Sequence, residues 1–255
     1  MRLSSLSKLS ALLALLLVLV ACGEATKSEP SPTPGPPTAA PGQLTVADVV
    51  ALAEPAWPQV QSMRTTSQSG TVPQEGENLA FTGSVQDWTA DGDRHLFEFR
   101  DGEVVNEQIA VDGIVYMRGQ FVSAAVAPEL DTTTWVILDT TVVPTDSPVG
   151  IQILYLTREQ ADPYGELTDD LLARPVQKGG TVTVGNRTCT VYTFGDENNT
   201  GTEIRYEMAV DETGLPCQVV QRAGDFQNST VYEFDLDLTI EAPLEGTPVS
   251  GTPEG

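Results

Sequence analysis

Three cysteines and one histidine are the side chains among these 255 residues with the most reactive chemistry to offer. A nucleophilic thiol or hydroxyl needs a base within hydrogen-bond reach, and neither a G-x-S-x-G turn nor a Cys–His pattern occurs. His95 falls in a stretch that alternates with period two, on the side shared by Phe97 and Phe99, and reads as a structural strand position. With no histidine cluster and no Cys-x-x-Cys pair, a zinc site is not expected. Asp91-Gly92-Asp93 and Asp211-Glu212-Thr213-Gly214 hold fragments of a calcium loop. Neither completes the D-x-D-x-D-G-x5-E pattern, so both read as turns. Thirty-six acidic residues guarantee close pairs by chance, and no glycosidase-like pair follows from them. The expectation is no catalytic residue, no metal, no cofactor and no enzymatic activity.

Cys22 has a different context. Arg2 and Lys8 precede an apolar stretch from Leu9 to Val20 that contains one serine. Twelve residues of helix reach only about 18 Å, short of a roughly 30 Å hydrocarbon core, but they suit a secretory signal. The stretch ends in Leu19-Val20-Ala21-Cys22-Gly23, which resembles the bacterial lipobox. That resemblance implies cleavage after Ala21 and acylation of Cys22, residues 1–21 being a lipoprotein signal peptide. At about 0.8 kcal/mol per buried methylene, several acyl chains would hold the protein on a membrane. The localisation expected is the cell membrane, lipid-anchored and facing the extracytoplasmic side.

Removing residues 1–21 leaves 234 residues with 11 bases against 36 acids, a net charge of −25. Such a chain is no nucleic-acid binder, because phosphate tracking needs clustered Lys and Arg. Charge would not draw it to an anionic bilayer either. Residues 22–43 form the acylated cysteine and a tether: six of the 21 residues from Gly23 to Gln43 are proline, and none has a large apolar side chain. Extended at ~3.1 Å per residue, this tether would reach about 65 Å. Residues 243–255, rich in Pro, Gly and Thr, are expected to be a disordered tail. The folded domain is then 44–242.

Within it, Thr45 and Asp48 make a capping box for a helix. Val46, Val49, Val50, Ala53, Trp57, Val60 and Met63 follow at helical spacing, with Pro55 and Pro58 set to kink or split it. The period then changes to two. Strands are expected over Ser67–Val72, Ala80–Trp88, His95–Arg100, Val104–Val111, Ile114–Arg118 and Trp135–Leu138, with Asp112-Gly113 as a hairpin turn. A helix is expected through Ile151, Leu154 and Tyr155, and a short one after Thr168 with Leu171 and Leu172 inward. Strands follow over Thr181–Val184, Thr188–Phe194 and Glu203–Val210. The last runs from Tyr232 to Ile240. Strict alternation there gives one buried and one wet face, as in an antiparallel sheet.

Cys189 and Cys217 are an even pair in an exported domain, which favours a disulfide over two buried thiols. Geometry sets a condition. If Glu203–Val210 lies between their strands, two strand spacings of about 9.6 Å separate them, and a bridge needs Cα atoms within ~7 Å. The loop from Asp211 to Pro216 must then fold one cysteine over the sheet end.

Several segments together resemble the bacterial lipoprotein family of the LppX/LprG type, related in fold to the LolA and LolB carriers. They are the helix leading into SGTV, then AVDGIVYMRG, GGTVTVGNRTCTVYTF, MAVDETGLPCQVVQ and the closing YEFDLDLTIEAP. The resemblance implies an α+β fold: an antiparallel β-sheet curved into an open half-barrel with helices packed on its concave face. It also implies an apolar cavity that holds acyl chains. A filled core and an open cavity need the same residue types, and the resemblance points to the cavity. Its candidate walls are Val49, Val50, Ala53, Trp57 and Val60 on one side and Ile151, Leu154 and the inward strand positions on the other. The leading expectation is a membrane-anchored lipoprotein that binds a lipid or other apolar ligand for carriage or sensing in the cell envelope. The alternative is an envelope protein-interaction or sensor domain without a ligand.

Overall fold

Two prolines decide how the chain enters the fold. The computed structural model describes residues 40, 42–71, 82–125, 129–138, 163–164, 167–197 and 203–249. Helix α1 (Val46–Val50) opens with a capping box in which Thr45 Oγ1 accepts from the Asp48 N–H and Asp48 accepts from the Thr45 N–H. Those bonds hold the exposed Asp48 carboxyl below its usual pKa, the backbone bond to Thr45 contributing most. The helix lasts five residues. Pro55 and Pro58 lack the N–H groups needed to continue it, so the chain descends through two short 3₁₀ turns, Ala51–Ala53 and Trp57–Gln59. The apolar spacing out to Met63 thus spans a helix, two turns and the start of a strand.

Strand β1 (Ser62–Thr71) is followed by β2 (Thr82–Thr89), β3 (Arg94–Arg100), β4 (Glu103–Val111) and β5 (Ile114–Gly119). Helix α2 (Gln120–Ala125) and strand β6 (Val136–Leu138) follow, then helix α3 (Asp169–Leu172), capped by the Thr168 hydroxyl. The chain finishes with β7 (Gln177–Val184), β8 (Arg187–Glu197), β9 (Glu203–Val210), β10 (Pro216–Ala223), β11 (Phe226–Phe234) and β12 (Thr247–Val249). At Asp101-Gly102 and Asp112-Gly113 both residues take positive φ, as the tightest hairpin turns require.

All twelve strands join one curved, unclosed sheet in the order β12-β6-β5-β4-β3-β2-β1-β11-β10-β9-β8-β7. Every neighbouring pair is antiparallel except β12 with β6. Two expectations change at the C-terminal end. The last long strand stops at Phe234 rather than Ile240, because Asp235 turns at φ 53°. Its carboxylate accepts the Gln61 N–H and its own N–H donates to the Ser62 carbonyl. The part of the expected tail that is described includes β12, so the chain returns to the sheet after residue 243.

Cross-strand register sorts the sheet into an inner and an outer face. One inner row runs Phe234, Met63, Trp88, Arg94, Ala110, Val115 and Leu138 across seven strands. The next runs Tyr232, Thr65, Gln86, Leu96, Gln108, Met117 and Val136. Two hydrophobic clusters rest on this one face. The larger joins α1, both 3₁₀ turns and α3 to Met63, Trp88, Tyr192, Phe194, Met208, Tyr232 and Phe234. The smaller joins Val122 of α2 to Leu96, Ala110, Val115, Met117, Val136 and Leu138. Helices α1 and α3 therefore pack on the same face of the sheet as the larger cluster. The helix expected over Ile151 and Leu154 lies outside the described residues.

Candidate functional site

Further from α1, the inner face changes character. A third row reads Tyr192, Met208, Val219, Thr230, Ser67, Ser84 and Glu98, and a fourth reads Phe194, Tyr206, Gln221, Asn228, Ser69 and Thr82. Apolar side chains dominate both rows on β8 and β9, and hydroxyls and amides take over from β10 to β2. A cavity of about 240 Å³ lies at this boundary. Its floor is Phe194, Tyr206, Met208, Val219 and Tyr232, and its polar side is Gln221, Asn228 and Thr230. Pro163, Tyr164, Leu167 and Leu171 form its roof.

Each wall is fixed by its own contacts. Phe194 and Tyr206 stack with ring centres 4.8 Å apart, since their strands place them directly opposite. Gln221 donates to the Tyr206 hydroxyl at 3.4 Å, and Thr230 shares a 2.8 Å bond with Ser67. Tyr164 is held down by donating its hydroxyl to the Gly214 carbonyl at 2.7 Å. Gly214 has φ +83°, and a Cβ there would meet the Leu52 backbone at 2.3 Å. Only glycine permits this approach of the β9–β10 loop to the first 3₁₀ turn.

The sequence-derived wall residues sit next to this cavity and do not line it. Val49 is 0% exposed, Ala53 4% and Val60 5%. Val50 and Trp57 pack against the same cluster, with Trp57 6.0 Å from Trp88 in a stacked pair. These side chains fill a core. Ile151 and Leu154 lie outside the described residues, as does Cys22. Sequence reading assigned the inward strand positions to a wall but missed the polar members among them, although their signal is present. Gln221, Asn228 and Thr230 stand in phase with the inward Val219 and Tyr232, so polar groups occupy positions where alternation calls for apolar ones.

The cysteine pair is bridged, with Cα atoms 6.5 Å apart. A regular sheet would have kept them too far apart. Cys217 falls at an irregularity between Pro216, opposite Val210, and Gln218, opposite Ala209. This extra residue draws β10 toward β8 across the end of β9, which removes the obstacle. Nearby, Arg187 binds Asp211 through Nε at 3.1 Å and Nη2 at 2.5 Å, and also donates to the carbonyls of Leu215 and Pro216. Burial raises the Asp211 pKa, but the guanidinium and Thr213 outweigh it and leave that carboxyl below its usual range. Both Asp211 oxygens are thus engaged within a turn.

His95 lies on the outer face. Its Nε2 is 2.8 Å from Glu107 Oε1, and Arg118 binds the other Glu107 oxygen. The bond to His95 is the chief reason that Glu107 titrates below its usual value, with Arg118 adding to it against the effect of burial. Arg118 also covers the Trp135 ring at 4.7 Å. This is an ion-pair cluster with no nucleophile in it. Among the described residues no three His, Cys, Asp or Glu side chains are grouped to hold a metal, and no helix is long and apolar enough to cross a membrane.

Comparison with known proteins gives a likeness in backbone course. The chain is similar to the lipoprotein LppX of Mycobacterium tuberculosis, with 10% identity and a TM-score of 0.42 over 77% of this chain and 98% of that one. LprF of Mycobacterium bovis gives 10% and 0.41 over 81% and 99%. The MucA/MucB complex of Pseudomonas aeruginosa gives 14% and 0.38 over 76% of this chain and 58% of that one. No family model and no curated protein matches the sequence.

Proposed function

We propose that this protein is a non-enzymatic lipoprotein, anchored to the membrane through Cys22, that binds the apolar part of a lipid for carriage or sensing in the cell envelope. The carrying observation is the cavity between β8–β11 and the roof formed by Pro163, Tyr164, Leu167 and Leu171. Its aromatic and aliphatic floor would take hydrocarbon out of water at about 25 cal/mol per Å² of apolar surface. The lipobox-like segment before Cys22 supports the anchor, and the proline-rich run after it supports a tether.

Native mass spectrometry of the full chain taken from membranes tests the cavity. The expected result is a co-purifying lipid that disappears when Met208→Trp fills the cavity floor. The reading fails if the wild-type chain carries no lipid and takes up none when it is supplied. Acyl labelling tests the anchor: wild type should incorporate labelled palmitate, and Cys22→Ser should not. Label retained in that variant would refute acylation at Cys22.

A further inference from the structure

Resting on that cavity reading, we infer that the ligand is a single-chain amphiphile with an uncharged, hydroxyl-bearing headgroup, such as a monoacylglycerol, rather than a fatty acid or an anionic lysophospholipid. The first ground is the lining. It contains three tyrosines, two amides and a threonine as its polar members, and among its described residues no acid and no base. A carboxylate or phosphate entering it would lose hydration with no cation among the described lining residues to replace water. Amides and hydroxyls can both donate to and accept from a neutral polyol, and that is the chemistry on offer.

The second ground is the direction of the polar gradient. Met208 and Val219 occupy the third inner row, while Gln221 and Asn228 face each other in the fourth. The fourth row continues through Ser69 and Thr82, whose hydroxyls lie 3.3 Å apart. A chain lying on Met208 and Val219 therefore directs its head along a strip of uncharged donors and acceptors. A volume near 240 Å³ is below the roughly 300–1,000 Å³ of ordinary ligand pockets and admits no more than part of one acyl chain.

The third ground is where the bases are. On the inner face of the sheet the nearest are Lys178, opposite Tyr192 on β7, and Arg100, opposite Thr82 on β3. Lys178 is one strand and two residues from the lining Phe194, about 8 Å between backbones, and Arg100 is three strands from Asn228, about 14 Å. Neither lines the cavity. The net charge of −23 adds a long-range field that repels anions.

The test is a competition at pH 8. The full chain is offered equal concentrations of 1-monooleoylglycerol, oleate and oleoyl-lysophosphatidylglycerol, and adducts are counted by native mass spectrometry. These probes share one acyl chain, so the headgroup alone decides. The expected occupancy by monooleoylglycerol is at least about tenfold that by either anion, a preference of about 1.4 kcal/mol. Gln221→Leu with Asn228→Leu should erase most of it, and the wild-type competition stands even if that variant fails to fold. Equal or greater occupancy by oleate overturns the headgroup inference and leaves the cavity reading intact. Oleate binding that is lost in Lys178→Ala overturns it too, by identifying a cation that serves the site. No adduct with any probe would instead refute the cavity reading on which it rests.

Discussion

The two ends of the sheet bury their inner faces by different means. Around β8–β11 and β1–β2, aromatic rings from several strands meet α1 and α3, and the neighbouring loop is held by a disulfide and by the Arg187–Asp211 pair. Across β3–β6 the core is thinner, made of aliphatic side chains and α2, and the outer face adds the His95–Glu107–Arg118 cluster. Paired charges tie strands together on the outer face of both regions, Arg64 to Asp87 and Arg222 to Glu207 in the first and Glu107 to His95 and Arg118 in the second. Such pairs are individually weak and salt-sensitive. The half with the larger core also contains the cavity, which it accommodates without losing the packing around α1.

Substitutions can break or sharpen this contrast. The largest effect is expected from Trp88→Ala, because Trp88 is 7% exposed, stacks on Trp57 and lies opposite Met63. Its loss should cost about 4 kcal/mol, read as a lower urea midpoint at unchanged slope. A cost under about 1 kcal/mol, the scale of a surface pair, would show that the aromatic cluster does not dominate. Next comes the bridge: Cys189→Ser with Cys217→Ser should lower stability by about 3 kcal/mol, since it frees a 28-residue loop in the unfolded chain. Equal stability of oxidised and reduced wild type would contradict this.

Arg187→Met should cost about 2 kcal/mol by stranding a half-buried carboxylate. The Asp211 pKa is lowered by folding, so the pair's contribution is complete above the ordinary carboxylate range and is lost as pH falls through the folded value. The variant should therefore be less acid-sensitive than wild type as pH falls below the ordinary aspartate value of about 4. Glu107→Gln should have the smallest effect, about 1 kcal/mol, with the same sign of pH dependence. Like that of Arg187→Met, its effect should shrink in ~1 M salt. An unscreened loss would mean that Glu107 acts by packing rather than by charge.

Much of this fold is legible in the residues. The capping box at Thr45 and Asp48, the Asp-Gly hairpin and the alternation in Glu203–Val210 are local signals, and local geometry follows them. The contact between Cys189 and Cys217 is only partly legible, because it depends on where a strand irregularity falls. Non-local packing decides the rest. Val49, Ala53 and Val60 carry a pattern that suits a cavity wall or a core equally, and the packing of the strand side chains around them, Trp88 stacked on Trp57 included, makes it a core. The alternation past Phe234 fails for a comparable reason. Leu236, Leu238 and Ile240 have strand periodicity, yet Asp235 is captured by Gln61 and Ser62 before they can pair.

From that capture point the chain travels from Asp235 to Gly246 without helix or strand and joins the sheet beside β6 as β12, at the opposite side of the sheet from β7. Its delivery there is Pro248, opposite Ile137 in the outermost strand. Proline has no N–H to offer another strand, so this border of the sheet is a poor template for further growth. The opposite border, β7, carries Lys178-Gly179-Gly180 where its pairing with β8 slips. A sheet that never closes on itself thus carries at both margins chemistry that discourages polymerisation.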